Sequence, residues 1–300
     1  MKQSLLNDAL LKINKNREEA ESKARKNLEL ALDDKTFKKL YTDYTTEMIE
    51  NAKKEAFGEK IDSKKLTQIK KDLDKKLTDL KIKSIEPNYF CKKCNDTGFV
   101  DGTYCSCLKK EITRVLLEKS GFGKLEDFRD SNFSIFENPE EMQKIYSVMQ
   151  AWCNKDSDKN LIYLLGPTGT GKTHLLRCMA NEMIKQNKIV LLTTAFNLSQ
   201  LFFKYHTSKE KDQILDDILS CEVLFIDDLG TEPFFNNITR EYTYLVINER
   251  RMKGLRTIIT SNLTPSELKE RYDERIFSRI LDKKTSITLE LKGCDKRLKK

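Results

Sequence analysis

The sequence predicts an α/β fold, a parallel sheet with helices on both faces, preceded by a small helical domain that carries a cysteine knuckle. Three observations predict it. From Leu161 onward, short runs rich in Ile, Leu and Val alternate with helical stretches. A glycine-rich segment joins the first of these runs to a helix. Before Pro87 the chain has one glycine, Gly58, and its apolar residues recur at spacings of three and four.

Composition sets outer limits. Three hundred residues suggest about two domains. With 38% hydrophobic and 34% charged residues, the chain can bury a core while keeping a heavily solvated surface. No run approaches the roughly 20 apolar residues of a membrane span, and the start of the chain soon meets charge. The expectation is a cytoplasmic protein with no membrane partner. A net charge of +8 favours a polyanion partner weakly, because the charges are interspersed; a Lys-rich solvated surface accounts for it equally well.

Over residues 1–90 there are 21 Lys/Arg and 17 Asp/Glu, so apolar period decides between helix and disorder. Leu5, Leu6, Ala9, Leu10 and Ile13 mark one stripe. Ala20, Ala24, Leu28 and Leu32 mark a second, and Leu66, Ile69, Leu73, Leu77 and Leu80 a third. The spacing predicts helices over 3–32, 36–56 and 63–82 that dock on each other or on a partner.

Next come Cys91-Lys92-Lys93-Cys94 and Cys105-Ser106-Cys107, with Asn95, Asp96, Gly98, Asp101 and Gly102 as turn residues between the pairs. Two thiolate pairs brought together by a turn suit a closed, tetrahedral, structural Zn²⁺ site; disulfides or free thiols are the competing reading. Lys92 and Lys93 lower the cost of gathering anionic sulfurs. Cys153, Cys178, Cys221 and Cys294 stand alone and are assigned no chemistry. A helix is expected near 108–119, then a connector around Gly121, Phe122 and Gly123. The domain boundary is placed at 130, giving domains 1–130 and 131–300.

Gly166-Pro167-Thr168-Gly169-Thr170-Gly171-Lys172-Thr173 satisfies G-x-x-x-x-G-K-[ST] in full, between the Leu161–Leu165 run and a helix from His174 to Lys185. Glycines let successive amides curl toward phosphate oxygens, and the helix N-terminus adds its dipole. Lys172 brings an ammonium toward the β and γ phosphates, and the Thr173 hydroxyl is a Mg²⁺ ligand. Residues 166–174 are the expected ATP contacts. Val223-Leu224-Phe225-Ile226 then delivers Asp227 and Asp228 at the carboxyl end of a buried run. Asp227 is expected to hold Mg²⁺ through water, and Asp228 to orient the attacking water. Thr257-Ile258-Ile259-Thr260-Ser261-Asn262 ends a neighbouring strand in small polar residues, with Asn262 as the candidate γ-phosphate sensor and a plain turn residue as the alternative. Ile189–Thr194 and Ile287–Leu291 complete the expected strands. Arg275 and Arg279, four apart, share a helical face. Arg279 is read as a finger that enters a neighbouring subunit's site in trans; an ion pair with Asp273 or Asp282 is the competing account.

These pieces in this order resemble the AAA+ ATPases with their P-loop sheet, and specifically the DnaC/DnaI-like bacterial helicase loaders, over roughly residues 90–300. The resemblance implies an ATPase whose nucleotide state governs its hold on single-stranded DNA and on a DnaB-type replicative helicase, with the helicase contacted by the N-terminal region. Such ATPases often have Glu where Asp228 stands, so the shorter arm implies slow turnover. Only nine residues follow the last expected strand, too few for the helical lid of many relatives; Arg297 is in the place of a second sensor. Loader and initiator ATPases also resemble one another in a helical wedge facing single-stranded nucleic acid. Here the wedge falls on Ala195–Cys221, with Lys204, Lys209 and Lys211 as candidate contacts, whereas Leu198, Leu201, Phe202 and Tyr205 read equally as a buried stripe. A transposition helper ATPase and a non-hydrolysing nucleotide-bound module are the alternative functions.

Overall fold

The computed structural model describes residues 3–58, 63–120, 125–128, 138–154, 157–208, 214–235, 238–293 and 295. The expected 121–123 connector, the 130/131 boundary, Lys209, Lys211, Cys294 and Arg297 lie outside them. The chain divides into two compact units, residues 11–105 and residues 106–300 with 1–10.

In the first unit, helices α1 (Gln3–Leu32), α2 (Lys35–Ala56) and α3 (Ser63–Asp79) follow the predicted stripes. Asp34 starts α2: its carboxylate accepts the Phe37 amide at 2.9 Å, satisfying a donor the helix cannot. Ala31, Phe37, Leu73 and Leu77 form the buried core, flanked by Leu28, Leu40, Tyr44 and Ile69. Helix α3 ends three residues before the expected 82. Lys81 takes a left-handed φ of 58°, and the Ile82 amide turns back to the Leu77 carbonyl at 2.9 Å, closing the helix with a bond no side-chain pattern announces. A two-stranded antiparallel hairpin follows, β1 (Phe99–Val100) with β2 (Thr103–Tyr104).

The second unit holds α4 (Ser106–Ser120), α5 (Pro139–Cys153), β3 (Leu161–Leu165), α6 (Lys172–Lys185), β4 (Val190–Thr194), α7 (Ala195–Thr207), α8 (Ile214–Ser220) and β5 (Val223–Leu229). It continues with α9 (Ile238–Met252), β6 (Arg256–Ser261), α10 (Pro265–Tyr272), α11 (Glu274–Ile280) and β7 (Ser286–Glu290). The five longer strands make one all-parallel sheet in the order β4-β5-β6-β3-β7. Alternate residues feed opposite faces. Ile162, Leu164, Val190, Leu192, Phe225 and Ile258 join α5 and α6 in one core, around the fully buried Trp152 and Met179. Outside that cluster, Leu198 and Phe202 of α7 and Val246 and Ile247 of α9 are buried with the intervening strand residues Leu191, Leu224 and Ile259.

Strand β5 runs three residues beyond the expected Ile226. Its pairing with β6 slips between Ile226 and Leu229, so two aspartates face one residue across the ladder. Such a bulge bends the strand and re-aims its side chains.

A buried cation completes this half. Arg250 in α9 is fully buried and its guanidinium serves main-chain acceptors, the carbonyls of Ile218 at 2.7 Å, Cys221 at 3.0 Å and Arg256 at 2.6 Å, plus the Thr257 hydroxyl at 3.0 Å. It ties α8, the head of β5 and the head of β6 together.

Candidate nucleotide site

Strand β6 lies between the strand that carries the glycine-rich loop and the strand that carries the acids, so all three chain segments end along one edge of the sheet. That edge, at the carboxyl ends of parallel strands, is where open α/β sheets take their ligands. The loop leaves β3 through Gly166, whose φ of 151° and contact with the Leu291 carbonyl leave no room for a Cβ, which would sit 2.3 Å from that oxygen. Gly171 caps α6 at φ 97°, with no side chain over the helix end. The amides of Lys172, Thr173 and His174 therefore open the helix without intrahelical acceptors and present a concave donor surface. Thr170, fully buried, ties the loop back on itself through a 2.8 Å bond from its hydroxyl to the Pro167 carbonyl.

Lys172 is 5% exposed. Its ammonium donates to the carbonyls of Gly166 at 2.7 Å and Pro167 at 2.8 Å and to Asn262 Oδ1 at 2.6 Å. The loop lysine and the strand-end asparagine, 90 residues apart, are thus joined directly. Thr173 Oγ1 donates to Asp227 Oδ2 at 2.9 Å, which joins the loop to the acidic strand. Asp227 is buried, and its other oxygen accepts the Thr260 hydroxyl. Asp228 sits in the bulge at φ 55°, and its amide donates to that same Thr260 oxygen at 2.9 Å. The hydroxyl, an acid, a second threonine and a lysine on the curled loop are the donor and acceptor set that fits a Mg²⁺-bound phosphate chain.

The His174 ring meets Glu126 Oε2 through Nδ1 and lies 3.6 Å from Cys178 Sγ through Nε2, while its main-chain amide is one of those that open α6. Thr260 and Ser261, both fully buried, are the site residues that sequence reasoning passed over in favour of Asn262. Ser261 donates to the Leu229 carbonyl and receives the Leu263 amide at 3.0 Å, which locks the strand end below Asn262.

Arg279 pairs with neither Asp273 nor Asp282. It donates to Asn248 Oδ1 at 2.8 Å, the Tyr244 hydroxyl at 2.8 Å and the Arg275 carbonyl at 3.0 Å, with its guanidinium 4.5 Å from the Tyr244 ring centre. Asp273 instead caps α11 and receives Arg275 at 3.2 Å, and Asp282 pairs with Arg251. In the expected wedge, α7 buries Leu198 and Phe202, the latter stacked 5.3 Å from Tyr242. Phe196 and Phe203 stay exposed, and Lys204 projects from the same helix at an exposed position.

At the knuckle, the Sγ atoms of Cys91, Cys94, Cys105 and Cys107 all lie within 4.8 Å of one another, and the Cys91–Cys105 pair is 3.8 Å apart. A tetrahedron of about 2.3 Å metal–sulfur bonds has edges of about 3.8 Å, so the donor set fits Zn²⁺. The separation is far beyond a bonded sulfur pair at about 2.05 Å. Asn95, Asp96, Gly98, Asp101 and Gly102 all take positive φ, as their turn role requires. Asp96 is the organiser: its buried carboxylate accepts the amides of Phe90 at 2.8 Å and Cys91 at 2.7 Å, which fixes the entry to the first pair. Cys153 and Cys221 are buried elsewhere, and burial pushes the Cys153 thiol up to about 12, which leaves it unreactive.

Among the described residues, no helix is long and apolar enough to cross a membrane. Comparison with known proteins gives a match of residues 110–300 to the model of the IstB-like ATP binding protein. The chain is 28% identical over 239 residues to the phage-like element PBSX protein XkdC of Bacillus subtilis, covering 72% of this chain and 88% of that protein. It is 31% identical over 137 residues to the chromosomal replication initiator protein DnaA of Campylobacter jejuni subsp. doylei, covering 45% of this chain and only 31% of that protein. Among solved structures, DnaI aligns with a TM-score of 0.47 and 24% identity over 61% of this chain and 93% of that one. The DnaC helicase loader aligns at 0.46 and 20% over 51% and 90%. With the family model covering well over half of the residues, the chain belongs to the family of IstB-like ATP-binding proteins.

Proposed function

We propose that the protein is an ATP-dependent loader that places a DnaB-type replicative helicase on single-stranded DNA. The observation that carries the enzymatic half is the convergence of Lys172, Asn262, Thr173 and Asp227 through two side-chain bonds at one sheet edge. The curled amides and Lys172 bind the triphosphate. Thr173 and Asp227 hold Mg²⁺, which neutralises charge on the β and γ phosphates. Asp228 orients water, Asn262 contacts the γ-phosphate, and Arg279 reaches the site of a neighbouring copy. Its seat on Tyr244 and Asn248 keeps the guanidinium ordered at the surface while it waits for that neighbour.

The loading half draws on the chain outside the family match. Residues 1–109 precede the matched region and carry three long helices and the cysteine cluster, a module suited to hold a second protein. A transposition helper has less use for such a module. The XkdC relative, itself part of a phage-like element, is similar over 72% of this chain. The test is association with the replicative helicase. Full-length chain is expected to co-purify with a DnaB-type helicase, with ATP strengthening the complex, and to lose it when residues 11–105, the first compact unit, are excised while nucleotide binding stays. Failure of the full chain to retain the helicase with or without ATP overturns the loader reading.

The cluster at Cys91, Cys94, Cys105 and Cys107 holds one structural Zn²⁺ in this reading. Metal analysis of purified protein is expected to return about one zinc per chain, and Cys105→Ser to lower it sharply and loosen the hairpin, since metal-binding energy here is folding energy. Stoichiometric absence of zinc, with four thiols open to an alkylating reagent in the native chain, sinks this assignment.

A further inference from the structure

The geometry points to Thr260 as a positioning residue that sets both acids of the site at once, an inference that rests on the nucleotide-site reading above. A hydroxyl has one proton to give and lone pairs to receive. Thr260 spends both within the acidic strand, giving its proton to Asp227 Oδ1 and taking the Asp228 amide at 2.9 Å. Asp227 is consequently held at each oxygen, by Thr260 on Oδ1 and by Thr173 on Oδ2, so its carboxylate plane cannot rotate.

Asp228 depends on the same atom. In the bulge, Ile226 pairs with Ile259 and Leu229 with Ser261, so Asp227 and Asp228 together face Thr260 alone. Asp228 pays a steric cost for its φ of 55°, a region that non-glycine residues rarely enter. Its amide, turned off the regular ladder by that twist, finds its acceptor in the Thr260 hydroxyl. The two bonds run in sequence, amide to hydroxyl to carboxylate, and each polarises the next. Thr260 is fully buried on a strand flanked by β3 and β5, and its branched side chain has little rotational freedom. One rigid hydroxyl therefore fixes the aim of the magnesium-binding acid and of the water-orienting acid together.

Thr260→Val keeps the shape and removes the hydroxyl; Thr260→Ser keeps the hydroxyl. The valine chain is expected to bind a fluorescent ADP analogue in EDTA within about twofold of the parent, because the loop amides and Lys172 are untouched. Its Mg²⁺ requirement, read both as half-saturation of analogue binding and as half-saturation of hydrolysis, rises about tenfold, the factor expected for one hydrogen bond to a charged group. Its kcat falls by at least a similar factor. The serine chain returns to within about threefold on each measure. Should thermal melting show the valine chain unfolded, Thr260→Cys, whose thiol donates only weakly, takes its place with the same readouts. A folded Val or Cys chain with parental Mg²⁺ dependence overturns the inference, as does a folded Ser chain as impaired as Val. Absence of Mg²⁺-dependent nucleotide binding in the parent is a different failure, that of the site itself.

Discussion

Lys172→Ala hydrolyses ATP at least about a hundredfold more slowly than the parent protein, the scale of losing one preorganised charge-stabilising group. The ammonium is nearly enclosed and held by two loop carbonyls and Asn262, so its charge acts in a site where water screens little. Steady-state hydrolysis in saturating Mg²⁺–ATP measures it, with melting temperature as the control for folding. The same variant tests the sharing of sites between copies. Arg279→Ala alone is also expected to be inactive, yet a mixture of Lys172→Ala and Arg279→Ala chains regains activity, because a mixed pair contains one site with an intact loop and an intact neighbouring arginine. A mixture as inactive as its components refutes the trans finger, and parental rates in Lys172→Ala refute the catalytic reading of the loop.

Arg250→Ala lowers stability by roughly 4 kcal/mol, and the melting temperature of the unit formed by residues 106–300 with 1–10 by about 10 °C. The cause is the set of groups it leaves behind. Three carbonyls and a threonine hydroxyl, at Ile218, Cys221, Arg256 and Thr257, lose their guanidinium donor in a place that is mostly buried. Burial also pushes the Arg250 guanidinium below its ordinary value, a sign of how little solvent helps it. Arg250→Lys is expected to recover only part of the loss, since a point-like ammonium cannot span four acceptors as a planar fork does. Differential scanning calorimetry of the two variants checks this, and a melting temperature within about 2 °C of the parent for Arg250→Ala contradicts it.

What was legible in the sequence was what depends on near neighbours. The five strands, the P-loop segment and the three N-terminal helices follow from apolar period and glycine placement. The knuckle turns, from Asn95 to Gly102, follow from the small set of residues that tolerate positive φ. What escaped depends on which element lies beside which. The bulge at Asp227 and Asp228 exists only against β6, and nothing in Val223–Leu229 alone announces it. Arg250 stands between Glu249 and Arg251 in a run that reads as a solvated helix end, until β5 and β6 close over it. For Arg279 the nearby sequence offers only Asp273 and Asp282 as intrachain partners, the alternative to a trans finger, whereas helix packing supplies Tyr244 and Asn248 instead. His174 follows the loop in sequence, while its ring belongs to a contact with Glu126, 48 residues earlier.

The placement of β6 has a mechanical consequence. It is clamped along both flanks by β3 and β5, and its last residue is bolted to the Leu229 carbonyl, so a tug on Asn262 has no sideways outlet. The remaining route is along the backbone, through Leu263, whose carbonyl takes the Tyr163 hydroxyl at 3.0 Å, into Thr264 and the reciprocal cap it forms with Glu267 at the head of α10. Helix α10 hands over at Asp273 to α11, which bears Arg279. The strand end below Asn262 is thereby tied, through Leu263, the Thr264 cap and Asp273, to the helix that bears Arg279.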